Sequence, residues 1–142
     1  MDDVERAYIE AACQRLSMAF SILVDRNDAA GVAALFLPDG SFSRPDMVLA
    51  SAAEIRAMLE GRSGGRVTRH VCANVLVDAK DSVHASGVTY FTLFTGERAG
   101  SEDGPLCMQL PLTVGEYHDL YKKTDDGWRI AERRAVAVFR RQ

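Results

Sequence analysis

The chain has 142 residues, 47% of them hydrophobic and 26% charged. That length fits one domain of roughly 100–150 residues, and the composition excludes disorder. The formal net charge is -3 and the only basic cluster is the late set Arg133, Arg134, Arg140 and Arg141. This balance disfavours nucleic acid as a partner, because such binding depends on neutralising phosphates.

Cys13, Cys72 and Cys107 are odd in number, and no two have CxxC spacing, as expected in a reducing cytoplasm. The opening MDDVERAYIE is acidic and lacks an apolar signal core, and no apolar run approaches the roughly 18–20 residues that cross a bilayer. A cytoplasmic protein without a membrane partner is expected. No HxxxH, HExxH, GxGxxG or P-loop occurs, and GRSGG at 61–65 lacks the GK[ST] ending, so neither a metal nor a nucleotide cofactor is expected.

In chain order, Val4, Tyr8, Ala11, Ala12, Leu16, Ala19, Phe20 and Leu23 recur at steps of three and four and predict one long helix. Asp28 suits the N-cap of a second helix, AAGVAALF, with Val32, Leu35 and Phe36 buried. Asp39-Gly40 marks its exit, and Ser41 to Ser43 is a short candidate strand. Ser51 and Glu54 have capping-box spacing ahead of a third helix carrying Ile55, Met58 and Leu59, stopped at Gly61.

The second half alternates as strands do. RVTRHVCANVLVD and VHASGVTYFTLFT are separated by a turn, and a long loop runs from Gly96 to Gly104. LPLTVGEYHDLYKK and WRIAERRAVAVFRR then flank Asp125-Asp126-Gly127, a hairpin signal. Three helices followed by four long strands predict an α+β fold over residues 1–142, with the helices covering one face of a strongly curved antiparallel sheet. A bent sheet closed by helices forms a cone, whose mouth would admit a small ligand.

Several blocks carry a resemblance. Val24-Asp25-Arg26-Asn27-Asp28 followed by Leu35-Phe36-Leu37-Pro38-Asp39-Gly40, then Thr68-Arg69-His70-Val71 with Asn74, then Tyr117, Tyr121 and Gly127-Trp128-Arg129-Ile130 with Arg133 stand in one order. The chain thereby resembles the SnoaL-like, NTF2-like superfamily, which includes scytalone dehydratase, bile-acid 7α-dehydratase, a hexachlorocyclohexane dehydrochlorinase, ketosteroid isomerase and polyketide cyclases. The resemblance implies a cone-shaped pocket and a pair, Asp25 and His70, in which His70 takes a proton from carbon. It further implies that Tyr117 and Arg133 line the pocket. Phe20 and Val24 stand where relatives often carry a polar Tyr or Lys, so they are candidate contacts that lack a polar group.

Each residue also has a plainer role. A neutral imidazole can accept a proton at cellular pH, and a carboxylate on its other nitrogen fixes the tautomer; the same pair could serve structure alone. Asn74, four residues beyond His70, is expected on the same strand face, binding a substrate oxygen or satisfying backbone. Tyr90, Thr92 and Phe94 form a candidate pocket row, as do Tyr117, Asp119 and Tyr121, though aromatic rows are more often core. Trp128 reads as hairpin-end core, and His84 and His118 as surface residues without a partner. Two functions follow. One is a cofactor-independent lyase or isomerase acting on a small, apolar, cyclic substrate. The other is a non-catalytic binding or accessory module, such as a ring-hydroxylating dioxygenase small subunit. Apolar residues on both faces of the last strands predict a homodimer or higher oligomer.

Overall fold

A computed structural model describes residues 1–101 and 103–142. Three helices, α1 (Asp3–Asp25), α2 (Ala29–Ala33) and α3 (Ala52–Glu60), are joined by six strands. These are β1 (Phe36–Arg44), β2 (Met47–Leu49), β3 (Arg66–Ala79), β4 (His84–Glu97), β5 (Thr113–Thr124) and β6 (Gly127–Arg140). They form one open sheet in the order β2-β1-β6-β5-β4-β3.

The helices start where side chains meet their orphan amides. The Asp2 carboxylate accepts from the Glu5 amide at 2.8 Å, and that of Asp28 from the Gly31 amide at 2.9 Å. Ser51 Oγ accepts from the Glu54 amide, while the Glu54 carboxylate reaches back to the Ala50 amide, one residue beyond the ordinary capping box. The β5–β6 hairpin turns at Asp125-Asp126, and Gly127 takes φ +111°, a conformation costly for any residue with a Cβ.

The buried stripe of α1 differs from the apolar periodicity. Val4 and Tyr8 are exposed, and the stripe runs through Ile9, Cys13, Ser17, Phe20, Ser21 and Val24. Small and hydroxyl side chains are admitted because they find partners: Ser17 Oγ lies 2.6 Å from Thr89 Oγ1 on β4 and accepts from Arg133 on β6. The second helix is shorter than its pattern. Leu35 leaves it to accept from the Ile130 amide at 2.8 Å, and Phe36 begins β1.

From there β1 runs parallel to β6, so the sheet is mixed rather than wholly antiparallel. Between β1 and β6 the chain passes through β2, α3 and three further strands, a connection long enough to allow parallel pairing. Strand β2, which has no clear alternation, adds an edge of three residues. One further departure shapes the site. Between Cys72 and Val75 the register of β3 against β4 slips by one residue. This is a β-bulge, and it bends the strand.

Candidate active site

The last residue of α1 and the start of β3 meet side by side. His70 Nδ1 lies 2.7 Å from Asp25 Oδ1, and both side chains are about nine-tenths buried, with relative exposures of 10% and 8%. The pairing is over-determined. Thr68 Oγ1 donates to Asp25 Oδ1 at 2.8 Å, and the His70 amide donates to Oδ2 at 2.8 Å. Burial alone would raise the Asp25 pKa, but the His70 side chain and amide, its charge and the Thr68 hydroxyl hold the carboxyl below its ordinary range. An acceptor-only carboxylate at Nδ1 assigns the proton to that nitrogen and leaves Nε2 as the acceptor.

The imidazole looks into a cavity of ≈ 160 Å³. Its apolar wall includes Phe20 and Val24 from α1, Phe42 from β1, Ile55 and Leu59 from α3 and Leu93 from β4. A neighbouring lobe of ≈ 120 Å³ shares Phe42, Arg44, His70, Leu93 and Tyr117, so His70 and Tyr117 stand between two halves of one cleft. An apolar cavity of about 150 Å³ accommodates benzene, so each lobe suits a single ring.

Tyr117 is 3% exposed and stacks on Phe91 with ring centroids 4.4 Å apart. Its hydroxyl makes no hydrogen bond to a described residue. Burial raises its pKa, so the group remains a proton-bearing donor at any physiological pH. Phe20 packs edge-on against Tyr117 at 5.6 Å and presents only carbon to the cavity.

Arg133 lies beneath this wall rather than in it. It is fully buried, and its guanidinium sits 4.6 Å from the Phe20 ring centroid and 4.2 Å from that of Tyr117. Nε and Nη2 donate to the two oxygens of Asp119 at 2.8 Å each, and Nη2 also donates to Ser17 Oγ at 2.5 Å. Burial would lower the Arg133 pKa, and the Asp119 carboxylate more than reverses that. The Tyr121 hydroxyl completes the cluster by donating to Asp119 Oδ2 at 2.9 Å. The expected pocket arginine is thus a floor support, its donors taken by Asp119 and Ser17.

Two other expected contacts lie elsewhere. His70 pairs across β3–β4 with Leu93, which fixes Thr89, Phe91 and Leu93 as the inward residues of β4; Tyr90, 51% exposed, is on the outer face. Asn74 is exposed because the bulge after Cys72 breaks the alternation that would have kept it on the His70 face. His84 and His118, expected without partners, lie near carboxylates: His84 Nδ1 is 3.1 Å from Asp81, and His118 Nε2 is 3.2 Å from Glu116. Trp128 is 5% exposed, as a hairpin-end core residue should be, and its indole N–H has no partner among the described residues.

Sequence reading missed Thr68 and Arg62. Arg62 Nη1 caps α1 through the Val24 carbonyl at 3.0 Å, and Nη2 donates to Thr68 Oγ1 at 3.2 Å. The two-residue step from Thr68 to His70 was the available signal for the first. For Arg62, a cation just past a helix end, no local pattern would have served.

A model of the SnoaL-like domain matches residues 5–134. No curated protein matches the chain. Among solved structures, a Mycobacterium tuberculosis protein of unknown function is 25% identical, covers 89% of this chain and 70% of its own, and superposes with a TM-score of 0.74. A candidate scytalone dehydratase from Novosphingobium aromaticivorans is 21% identical, with coverages of 91% and 83% and a TM-score of 0.75. A hexachlorocyclohexane dehydrochlorinase from Novosphingobium barchaimii is 13% identical, with coverages of 99% and 93% and a TM-score of 0.80. At those two lower identities the likeness is one of fold. The chain belongs to the SnoaL-like domain family and has the α+β fold of NTF2-like, cystatin-like proteins.

Proposed function

We propose that this protein is a cofactor-independent lyase or isomerase that abstracts a proton from a carbon of a small, apolar, cyclic substrate. The observation that carries the reading is the fully engaged Asp25 carboxylate on Nδ1 of His70, which leaves Nε2 facing an apolar cleft. His70 Nε2 is the general base, and Asp25 holds the tautomer and stabilises the imidazolium that forms. Charge developing on a substrate oxygen is met by the Tyr117 hydroxyl, a wall donor that no described residue engages. The electron pair released from the C–H bond either expels a leaving group from the neighbouring carbon or returns to a proton at another carbon.

The experiment is deuterium wash-in. Cyclic ketones of one ring are incubated with the protein in D₂O, and exchange beside the carbonyl is followed by proton NMR. Exchange above the buffer rate should fall about 10²–10⁴-fold in His70→Ala. Equal exchange in a folded His70→Ala variant would sink the assignment.

Phe20 and Val24 favour a second reading, a non-catalytic binding or accessory module, since they offer only carbon where a polar helper is expected. That reading predicts ring binding with no exchange in either form. Under both readings we propose a homodimer through the outer sheet face, where Leu76, Tyr90, Leu120 and Val138 are exposed. The protein has no helix long and apolar enough to cross a membrane among the described residues.

A further inference from the structure

The cleft is charged in a lopsided way. Arg44, Arg62 and Arg66 line the cavity beside His70, and among the described residues its wall contains no aspartate or glutamate. The adjoining lobe adds Arg140 and, among the described residues, again no carboxylate. This occurs in a chain whose formal net charge is -3. The cations are also sorted by depth. Phe20, Val24, Ile55, Leu59 and Tyr117 are all buried, whereas Arg44 and Arg66 are exposed and Arg62 is half-buried, so the positive groups sit on the solvent side of an apolar interior.

Their charges are incompletely met by the protein. Both acceptors of Arg62, the Val24 carbonyl and the Thr68 hydroxyl, are neutral. The nearby Asp25 carboxylate is engaged on both oxygens by His70. Burial lowers the Arg62 pKa and the Arg66 charge lowers it further, with Asp25 opposing, so the two cations that line the cavity repel one another. Arg66 stands opposite Glu97 in the β3–β4 register, yet among the described residues it forms no ion pair. Of the three, Arg44 alone has an ion-pair partner among the described residues, Asp46 at 2.9 Å. Like charges gathered round an apolar cavity are a cost that a bound anion would reverse, and guanidinium forks match planar oxyanions in shape.

From this arrangement we infer that the ligand carries an oxyanion, a carboxylate or a phosphate, held by Arg62 and Arg66 while its ring fills the apolar interior. The inference rests on the pocket reading above but not on turnover. It also explains why a helix-end cation faces inward: it holds Thr68 and the dyad on one side and a ligand anion on the other.

The test is an amide-resolved NMR titration of the full chain with 3-phenylpropanoate, 2-phenylethyl phosphate and the neutral 3-phenylpropan-1-ol. At least one anion should bind about fivefold or more tightly than the alcohol, a difference near 1 kcal/mol. That preference should fade with salt and fall below about twofold in Arg66→Gln, an exposed substitution whose spectrum reports whether the fold is intact. Whichever anion binds more tightly identifies the oxyanion. Equal affinity for all three compounds, with His70 perturbed by each, would overturn the inference and leave the pocket reading intact. A preference that survives in Arg66→Gln also overturns it. If none perturbs His70, both fall.

Discussion

Replacing Arg133 by Met tests whether the arginine supports the cleft from below. The substitution keeps most of the stem and deletes a guanidinium that makes three short hydrogen bonds, two to Asp119 and one to Ser17, while stacking on Phe20 and Tyr117. Both members of the ion pair have side-chain exposure of 0%, so water cannot replace the lost partner. Removing one member of such a pair costs about 3–5 kcal/mol, most of it the isolation of the remaining carboxylate. For a domain near 150 residues, each kcal/mol shifts the melting temperature by about 2–4 °C, which places the expected loss at about 6–20 °C. Calorimetry and urea unfolding should agree on this figure. Adding Asp119→Asn to Arg133→Met removes the stranded charge, keeps an acceptor for the Tyr121 hydroxyl, and should recover part of the loss. A single variant that loses less than about 1 kcal/mol, or a double variant less stable than the single, would refute the floor-support reasoning.

Asp25→Asn preserves shape but presents an amide to His70, and ring-substrate exchange should fall about 10²–10⁴-fold, comparable with loss of the base. The same pair of proteins gives a pH test. Because the folded pKa of Asp25 lies below its unfolded value of about 3.9, the stability it adds is complete above that pH and is lost as pH falls through the folded value; the gap between wild type and Asp25→Asn in urea titrations should therefore narrow below about pH 4. Gly115→Ala would place a methyl against the Val136 carbonyl and 2.7 Å from the Phe91 ring, and should cost about 1–3 kcal/mol by chemical denaturation. Sedimentation velocity should show a dimer at low micromolar concentration, converted to monomer by Tyr90→Asp on the exposed sheet face; wild type that is monomeric throughout removes the dimer proposal.

The long strands were legible because β-branched and aromatic residues alternate over whole segments, and the caps because Asp28 and Ser51 have a single good use. That Asp25 and His70 stand together was expected from the order of motif blocks, and their side chains do meet. What eluded sequence reading was parity. On β4 both phases carry apolar residues, Thr89-Phe91-Leu93 and Tyr90-Thr92-Phe94, and only the cross-strand pair of His70 with Leu93 decides between them. Asn74 failed for a related reason, since a one-residue bulge inverts every later assignment on its strand. Arg133 was located by motif and misjudged in role, because its partner Asp119 lies on a different strand and no local spacing announces the pair.

The Asp25 carboxylate holds a backbone amide of β3 as well as an imidazole, and it does so from the final residue of α1. The group that would prepare the base is therefore also a clasp between helix and sheet. Fraying of that last helical turn, a sub-global opening that leaves most of the sheet intact, would release the clasp and the tautomer together. Thermal inactivation should then precede the loss of circular dichroism, and a ligand that engages His70 should slow amide exchange at the C-terminal end of α1, some distance along the chain from the strand it touches.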